Sequence, residues 1–190
     1  MRSEQLLKRL FLIVVGVSLL TTISTTPVSG QESDSQRRER NYIKAMIGPA
    51  PLIRIVAGTV IDQWQDDPED WDQDVGGFAQ RLGSNAGSRW VNVSVRHGIA
   101  ALQNRTTSYQ RCECTDTWGR VRQAVLGTVT DFDEQGDRHF SVAQVSGALA
   151  GSSVKLIWVP DYDLGDVGRG TLMSLGVTAA GNLIREFILH

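Results

Sequence analysis

Residues 142–158, VAQVSGALAGSSVKLIW, decide how the rest of the chain packs. Lys155 is the only charged side chain in this stretch, which therefore predicts a helix buried among other helices. Ala143, Gly147 and Gly151 recur every four residues and form a stripe of minimal side chains on one face. Because glycine costs a helix about 1 kcal/mol relative to alanine, two glycines in register predict that another helix backbone approaches this face closely.

Four further segments of the chain show the apolar spacing of a helix. They lie at 52–65, 78–103, 118–129 and 167–189. The chain is therefore predicted to be mainly α, a single compact domain of about five helices packed against residues 142–158. Turn-forming residues near 128–142 leave room for one short hairpin.

Two more pairs of small residues repeat the spacing of the opening helix. Gly83 and Gly87 form one pair, and Gly176 and Ala180 form the other. We predict that both pairs lie at helix–helix contacts, because small side chains let two backbones approach. Contacts of this kind also join subunits, so the same pattern suggests a homo-oligomer.

The long helix at 78–103 carries a regular polar stripe that includes Arg81, Asn92 and Arg96. In a water-soluble domain such a stripe faces solvent, so the opposite side, with His97, is predicted to face inward. A lone histidine there is expected to be a hydrogen-bonded core residue. The first and last predicted helices divide into polar and apolar faces in the same way.

Residues 1–30 have the three-part layout of a secretory signal peptide. The basic pair Lys8 and Arg9 precedes the apolar run LFLIVVGVSLL, and Val28 and Gly30 place small residues before the expected cleavage site. A membrane anchor is the alternative, because the run approaches the roughly 18–20 residues of a spanning helix when the threonines are counted. Both interpretations predict export, to the periplasm or to an envelope membrane.

The bulk composition is that of one folded domain. The chain has 190 residues, of which 41% are hydrophobic and 21% charged, as in ordinary globular proteins. The formal net charge is −2 and residues 1–30 are basic, so the remainder is mildly acidic and lacks the basic face of a nucleic-acid-binding protein. We expect a polar, flexible tether at 31–46 and the helical domain at 47–190.

The segment 66–74, DDPEDWDQD, holds six acidic residues in nine. A calcium loop does not fit, because Arg81 stands where a bidentate glutamate is needed. Asp67 and Pro68 are instead good first residues of a helix, and Glu69 complements its dipole. A helix is therefore expected to begin within this segment.

Cys112 and Cys114 are the only cysteines. An exported chain would normally pair them, although a ring with one intervening residue is strained. Three possibilities stay open: this disulfide, disulfides to a second chain, or thiolate ligands for a soft metal such as copper. A metal would need a third ligand that nothing nearby supplies, so no metal or cofactor is predicted. Redox catalysis is disfavoured because it usually uses two intervening residues.

The sequence contains none of the common catalytic motifs, such as G-x-S-x-G, H-E-x-x-H, a phosphate-binding loop or a spaced Cys/His set. Asp62 and Glu186 are candidate carboxylates without an evident partner. A pocket that held Asp62, His97 and Arg96 together would favour an enzyme. No catalytic residue is identified, and catalysis is disfavoured.

Several stretches resemble a poorly characterised group of exported, glycine-rich, all-helical bacterial envelope proteins. They are GPAPLIRIVAGTVIDQW at 48–64, PEDW at 68–71, GGFAQRLGSNAG at 76–87, YxRCxC at 109–114 and RGTLMSLGVTAAGNLIREF at 169–187. These stretches are distributed along the chain from 47 to 187. The resemblance implies an exported all-helical domain and carries no established activity.

The leading hypothesis is a non-catalytic helical protein of the cell envelope that acts through packing, oligomerisation or partner binding. The first alternative is membrane insertion or peripheral lipid contact through the helices at 142–158 and 167–189. The second is redox or soft-metal handling at the Cys112–Cys114 loop. The sequence does not name a ligand or partner.

Overall fold

The computed structural model of the chain describes residues 34–105, 107–133 and 136–188. Over these residues the fold is mainly α with one small antiparallel hairpin, which confirms the predicted fold class. The helices are α1 (Asp34–Ile47), α2 (Pro49–Gln65), α3 (Val75–Leu102), α4 (Thr117–Leu126), α5 (Val142–Ser153) and α6 (Leu164–Phe187). The hairpin pairs β1 (Thr130–Phe132) with β2 (Arg138–Phe140), and a short 3₁₀ helix (Val154–Ile157) follows α5.

Four helices begin after a side chain that accepts a hydrogen bond from a backbone N–H of the first turn. These N-cap residues are Asp74 (α3), Asp116 (α4), Ser141 (α5) and Asp163 (α6). The expected start of a helix at Asp67 and Pro68 is wrong, because α3 begins at Val75. The carbonyl groups of Asp67 and Pro68 accept hydrogen bonds from the Arg81 side chain, which holds this segment as a loop.

The polar segment expected to be a flexible tether is largely helical, since α1 covers Asp34–Ile47. Its glutamine, arginine and glutamate residues have high intrinsic helix propensity, which charge alone does not cancel. Tyr42 ties α1 to α3 through a hydrogen bond of 3.0 Å between its hydroxyl and that of Ser94. The predicted signal peptide or anchor at 1–30 lies outside the described residues.

The helix α5 packs most extensively on α3 and then on α6, while α2 packs on α3 and α4 on α6. Its stripe of small residues is the side that meets α3. A Cβ placed on Gly147 would lie 2.8 Å from the carbonyl oxygen of Asn92, and one on Gly151 would lie 2.8 Å from that of Ser88. The α3 backbone therefore occupies the space that any side chain at these two glycines would need. Ala143, in the same stripe, is also buried.

The other predicted packing residues have different surroundings. No described atom lies within 4 Å of a Cβ placed on Gly83 or Gly176, so these two glycines face open space rather than a helix. A Cβ placed on Gly87 would lie 3.5 Å from the ring of Trp158, which is an ordinary contact distance. Ala180 is exposed. Small-residue spacing shows where a close approach is sterically allowed, but the partner helix decides where one occurs.

This difference predicts opposite stability effects for the same substitution. Gly147→Ala and Gly151→Ala should each lower the free energy of unfolding by about 1–3 kcal/mol, because a methyl group would force α3 and α5 apart. Gly83→Ala and Gly176→Ala serve as matched controls and should raise it by up to about 1 kcal/mol through helix propensity. Urea unfolding of the four variants measures the signs, and equal effects at all four sites would contradict this packing.

Polar side chains occupy much of the interior, and large apolar side chains occupy much of the exterior. Three of the four largest fully buried side chains are polar or charged, namely Arg81, Glu186 and Thr59. The polar stripes of α3 and α6 turn inward, so Asn92 and Asn182 are buried. The expectation that the polar stripe of α3 faces solvent is therefore wrong. The large apolar residues of α6 point outward, as shown by Leu172, which is 71% exposed.

Candidate functional site

A cavity of about 470 Å³ lies in the interior of this helical unit. Helices α1 to α6, the 107–110 loop and β1 all contribute to its wall. Its size falls within the range of small-molecule binding sites, roughly 300–1,000 Å³. The inward-turned polar stripes of α3 and α6 supply many of its lining residues, so the unusual interior polarity and the cavity are parts of one arrangement.

Four arginines from three helices line the cavity. Arg54 comes from α2, Arg89 and Arg96 come from α3, and Arg185 comes from α6. On α3 the two arginines are seven residues apart, which is two turns, so they lie on the same side of the helix. Each helix thus directs at least one guanidinium group toward the same space.

Negative charge in the cavity is sparse. Asp131 is the only carboxylate among the described lining residues, and its Oδ1 is already 3.2 Å from Nη1 of Arg105. Within the described part of the chain no ion pair joins any of the four cavity arginines to a carboxylate. The cavity therefore carries positive charge that the surrounding side chains leave largely uncompensated.

Neighbouring arginine charges lower the pKa values of Arg54, Arg89 and Arg96. Burial and then the charges of Arg89, Arg185 and Arg54, in that order of importance, together lower the pKa of Arg96 to about 10. Burial and the neighbouring Arg54 lower the pKa of Arg89. Burial and Arg185 lower the pKa of Arg54. Because an arginine resists deprotonation at neutral pH, the cluster stays charged and an anion between the arginines would relieve the repulsion.

The arginines differ in what already holds them. Arg96 donates a hydrogen bond from Nη2 to the carbonyl oxygen of Thr107, which orients its side chain. The Nε–H of Arg89 is buried and has no hydrogen-bond partner in the described structure. Such a buried, unpaired donor is costly unless a ligand or ordered water satisfies it. Arg89 is therefore less completely held by the protein than Arg96.

Arg54 and Arg185 mark an opening of the cavity. Both side chains line it and both are exposed to solvent. The guanidinium of Arg54 lies against α6 at Gly181, where a Cβ would come within 2.7 Å of its Nη2 atom. Helices α2 and α6 therefore flank this mouth, and Gly181 leaves the space that the Arg54 side chain occupies.

His97 also lines the cavity, beside Arg96 in sequence. Burial, together with the charges of Arg96 and Arg89, lowers the pKa of His97 to about 4. The imidazole is therefore neutral at physiological pH and offers a ring nitrogen as an acceptor or donor. Its ring makes an edge-on contact with Tyr42, with centroids 5.5 Å apart.

The cavity does not bring together Asp62, His97 and Arg96, the combination that would favour an enzyme. It holds His97 and Arg96, but Asp62 is not among its lining residues. The Oδ2 atom of Asp62 instead accepts a hydrogen bond of 2.7 Å from Asn85. Asp131 is the nearest substitute, and its pairing with Arg105 gives it a structural role.

The second candidate carboxylate, Glu186, is a structural residue outside the cavity wall. It is 2% exposed, and its Oε1 accepts hydrogen bonds from the Tyr109 hydroxyl (2.6 Å) and the Cys112 backbone N–H (2.9 Å). Arg120 lies 3.6 Å from its Oε2. Burial acts to raise the pKa of Glu186, but these donors outweigh it and the pKa is lowered.

Cys112 and Cys114 form a disulfide with each other. This selects the first of the three possibilities and leaves neither thiol for a second chain or a metal. Among the described residues no group of three or more His, Cys, Asp or Glu side chains is placed to hold a metal ion. The loop that carries the disulfide is tied to Glu186 through the backbone of Cys112.

Periodicity alone identified none of the four arginines as a site and placed Arg96 on the solvent side of α3. Arg96 and Arg185 were members of polar stripes, and Arg54 was on the polar side of its helix. The sequence did contain one signal of the site. The polar face of each of the three helices contains arginine and few other charged residues. That pattern does not show whether the three faces converge, which requires the packing.

No protein-family model, curated protein or solved structure matches this chain. One helical stretch among the described residues, Ser35–Gln65, is long and apolar enough to cross a membrane by length and composition. It includes α1 and α2 and lies near the N-terminus.

Proposed function

We propose that this protein is a non-catalytic, exported helical protein of the cell envelope that binds an anionic ligand in its arginine-lined cavity. The single observation that carries this proposal is the convergence of Arg54, Arg89, Arg96 and Arg185 on one cavity with little compensating negative charge. Guanidinium groups bind carboxylate and phosphate groups through paired, charge-assisted hydrogen bonds. An anion would thus gain several strong contacts and reduce the repulsion between the arginines.

The shape of the cavity favours an organic anion over an inorganic ion alone. Its volume of about 470 Å³ is larger than one phosphate group requires. Uncharged polar side chains, including Gln144 and Thr178, line the space beside the arginines and bond to each other at 3.3 Å. A ligand with one anionic group and a larger neutral part fits this combination.

Export is supported by two independent features. The N-terminal sequence has the layout of a signal peptide or anchor. The disulfide between Cys112 and Cys114 is the form that cysteines adopt in an oxidising compartment such as the periplasm. These features support a periplasmic or envelope location for the anion-binding domain.

Sulfate binding by the full chain tests the proposal. We expect sulfate to raise the melting temperature of the wild-type protein, since a ligand that binds only the folded state stabilises it. Arg96→Gln and Arg185→Gln should each weaken the apparent affinity about tenfold or more, because each removes a charge-assisted contact worth roughly 1.5–3 kcal/mol. Titration calorimetry gives the affinities directly.

Arg169→Gln is the matched control, because the Arg169 side chain is 82% exposed and lies outside the cavity wall. It loses the same charge and should retain the wild-type affinity. Equal losses in all three variants would indicate a general charge effect. Equal affinity of the wild type and the two cavity variants would contradict the proposed site.

A further inference from the structure

The mouth of the arginine-lined cavity lies between two helices whose outer surfaces are apolar. On α2 the exposed large residues are Leu52, Ile53, Val56, Val60, Ile61 and Trp64. On α6 they are Leu172, Met173, Val177, Ile184 and Phe187. We call these two surfaces the apolar outer faces. Large exposed apolar surfaces on a folded domain mark interaction sites.

Charge is almost absent from the two helices beside the mouth. Arg54 is the only charged residue of α2 before Asp62, and residues 170–184 of α6 contain none. The charges that do occur, Arg54 and Arg185, line the cavity. A surface with few charges and with cationic groups at its centre is complementary to an interface that is apolar below an anionic layer.

From these observations we infer that the apolar outer faces dock on a lipid bilayer and that the cavity takes the headgroup of an anionic lipid. This inference rests on the proposed function and names the ligand class of the same site. The headgroup phosphate would meet Arg54 and Arg185 at the mouth, while acyl chains would lie against the outer faces of α2 and α6. Inward polar and outward apolar side chains are the distribution expected of helices in contact with lipid.

The acidic loop at 66–74 lies far along α2 from the mouth of the cavity. Asp66 is twelve residues beyond Arg54, which places the loop about 18 Å along α2 from the mouth at 1.5 Å per residue. That distance exceeds the Debye length of about 8 Å at physiological ionic strength. The loop carboxylates are therefore screened from lipid headgroups at the mouth.

The cysteine content of the chain allows a site-specific test. Because its only two cysteines form a disulfide, a single introduced cysteine is the one free thiol to which an environment-sensitive fluorophore can be attached. Met173→Cys places the label on the outer face of α6. Leu102→Cys is the matched control, since Leu102 is also apolar, is 86% exposed and belongs to the end of α3 instead of to either outer face.

The labelled full chains are mixed with phosphatidylcholine vesicles that contain either no phosphatidylglycerol or about one third of it, with brominated acyl chains. We expect the Met173 label to shift to shorter wavelength and to be quenched by bromine, at least fivefold more strongly than the Leu102 label. The lipid concentration for half quenching should fall at least fivefold when phosphatidylglycerol is present. Arg54→Gln with Arg185→Gln in the Met173→Cys background should remove that preference.

Three outcomes would overturn the inference. A Met173 label that is not quenched, in a protein that still binds sulfate, shows that the cavity takes a soluble anion instead of a lipid. A blue shift without vesicles indicates that a second copy of the chain covers the outer face. Quenching that depends neither on phosphatidylglycerol nor on Arg54 and Arg185 shows lipid contact without headgroup binding. Failure of wild-type sulfate binding would instead overturn the proposed function itself.

Discussion

Replacing Arg81 with methionine should lower the free energy of unfolding by about 3–5 kcal/mol, the range seen when a buried charged group loses or leaves its partners. The side chain is 1% exposed, and its five N–H groups make six contacts of 2.8–3.0 Å with acceptors, so one N–H of Nη2 is shared between two of them. The acceptors are the carbonyl oxygens of Asp67, Pro68, Trp71 and Asp72 and the side chains of Gln63 and Asp66. Without the guanidinium, Asp66 keeps a hydrogen bond from Gln73 and the Pro68 carbonyl keeps one from the Trp71 N–H, but the other acceptors lose the donor that Arg81 supplies.

The planar fork of arginine is what organises the acidic loop, so Arg81→Lys should recover only a small part of the loss. Lysine has three donors at one point and cannot reach six acceptors arranged around the loop. Arg169→Met, at a side chain that is 82% exposed, should change stability by less than about 0.5 kcal/mol. Urea unfolding gives these values, and an Arg81→Met variant as stable as Arg169→Met would contradict the structure of the loop.

Glu186→Gln should lower the free energy of unfolding by about 2–3 kcal/mol at pH 7. The carboxylate holds the Tyr109 hydroxyl, the Cys112 backbone N–H and Arg120, so it joins α6 to the disulfide loop and to α4. Hydrogen bonds to a charged acceptor contribute roughly 1.5–3 kcal/mol, and the amide keeps only part of this. Burial and the Glu186 carboxylate also raise the pKa of Tyr109, which keeps the phenol protonated as a donor.

The difference in unfolding free energy between the wild type and Glu186→Gln should decrease as the pH falls. The pKa of Glu186 is lower in the folded protein than the ordinary value of about 4.3 expected in the unfolded chain. The carboxylate therefore stabilises the fold fully above that value, and the contribution is lost as the pH falls through the folded pKa. Urea unfolding between pH 7 and 3 should show the wild type converging on Glu186→Gln. Glu113→Gln, at an exposed residue of the same loop, should not change the profile.

The local structure follows closely from the sequence. Asp116 and Asp163 start helices where their side chains can cap a first turn, and Gly147 and Gly151 lie where α3 approaches α5. Both features depend on residues a few positions apart, which sequence spacing describes directly. The loop at 66–74 differs because its conformation depends on Arg81, which is distant in sequence from most of its acceptors.

The direction in which the helices face does not follow from periodicity. The spacing of Asn92 on α3 and of Leu172 on α6 shows correctly that each helix has a polar and an apolar side. Which side turns inward depends on the solvent, and the assumption of water on all sides assigns Asn92 outward and Leu172 inward, opposite to the structure. The same assumption hides the cavity, because Arg96 and Arg185 are then assigned to separate exposed surfaces.

Because the interior is polar, the burial of large apolar side chains contributes little to the stability of the protein. Among the buried hydrophobic residues in the described part of the chain, only Ile55, Val93 and Val167 are larger than alanine. Specific hydrogen bonds such as those of Arg81 and Glu186 must therefore contribute much of the order within the unit. An apolar exterior in contact with lipid would compensate for the small apolar core, which connects the stability of the fold to the proposed membrane contact.

The most direct test of the central claim is the pKa of His97 measured by proton NMR, with and without saturating sulfate. Without an anion the pKa should be about 4, because of burial and the charges of Arg96 and Arg89. Sulfate stays a dianion over this range and should raise the pKa by at least one unit, because it offsets the arginine charges. A His97→Gln variant identifies the resonance. An unchanged pKa at saturating sulfate would contradict an anion site in the arginine-lined cavity.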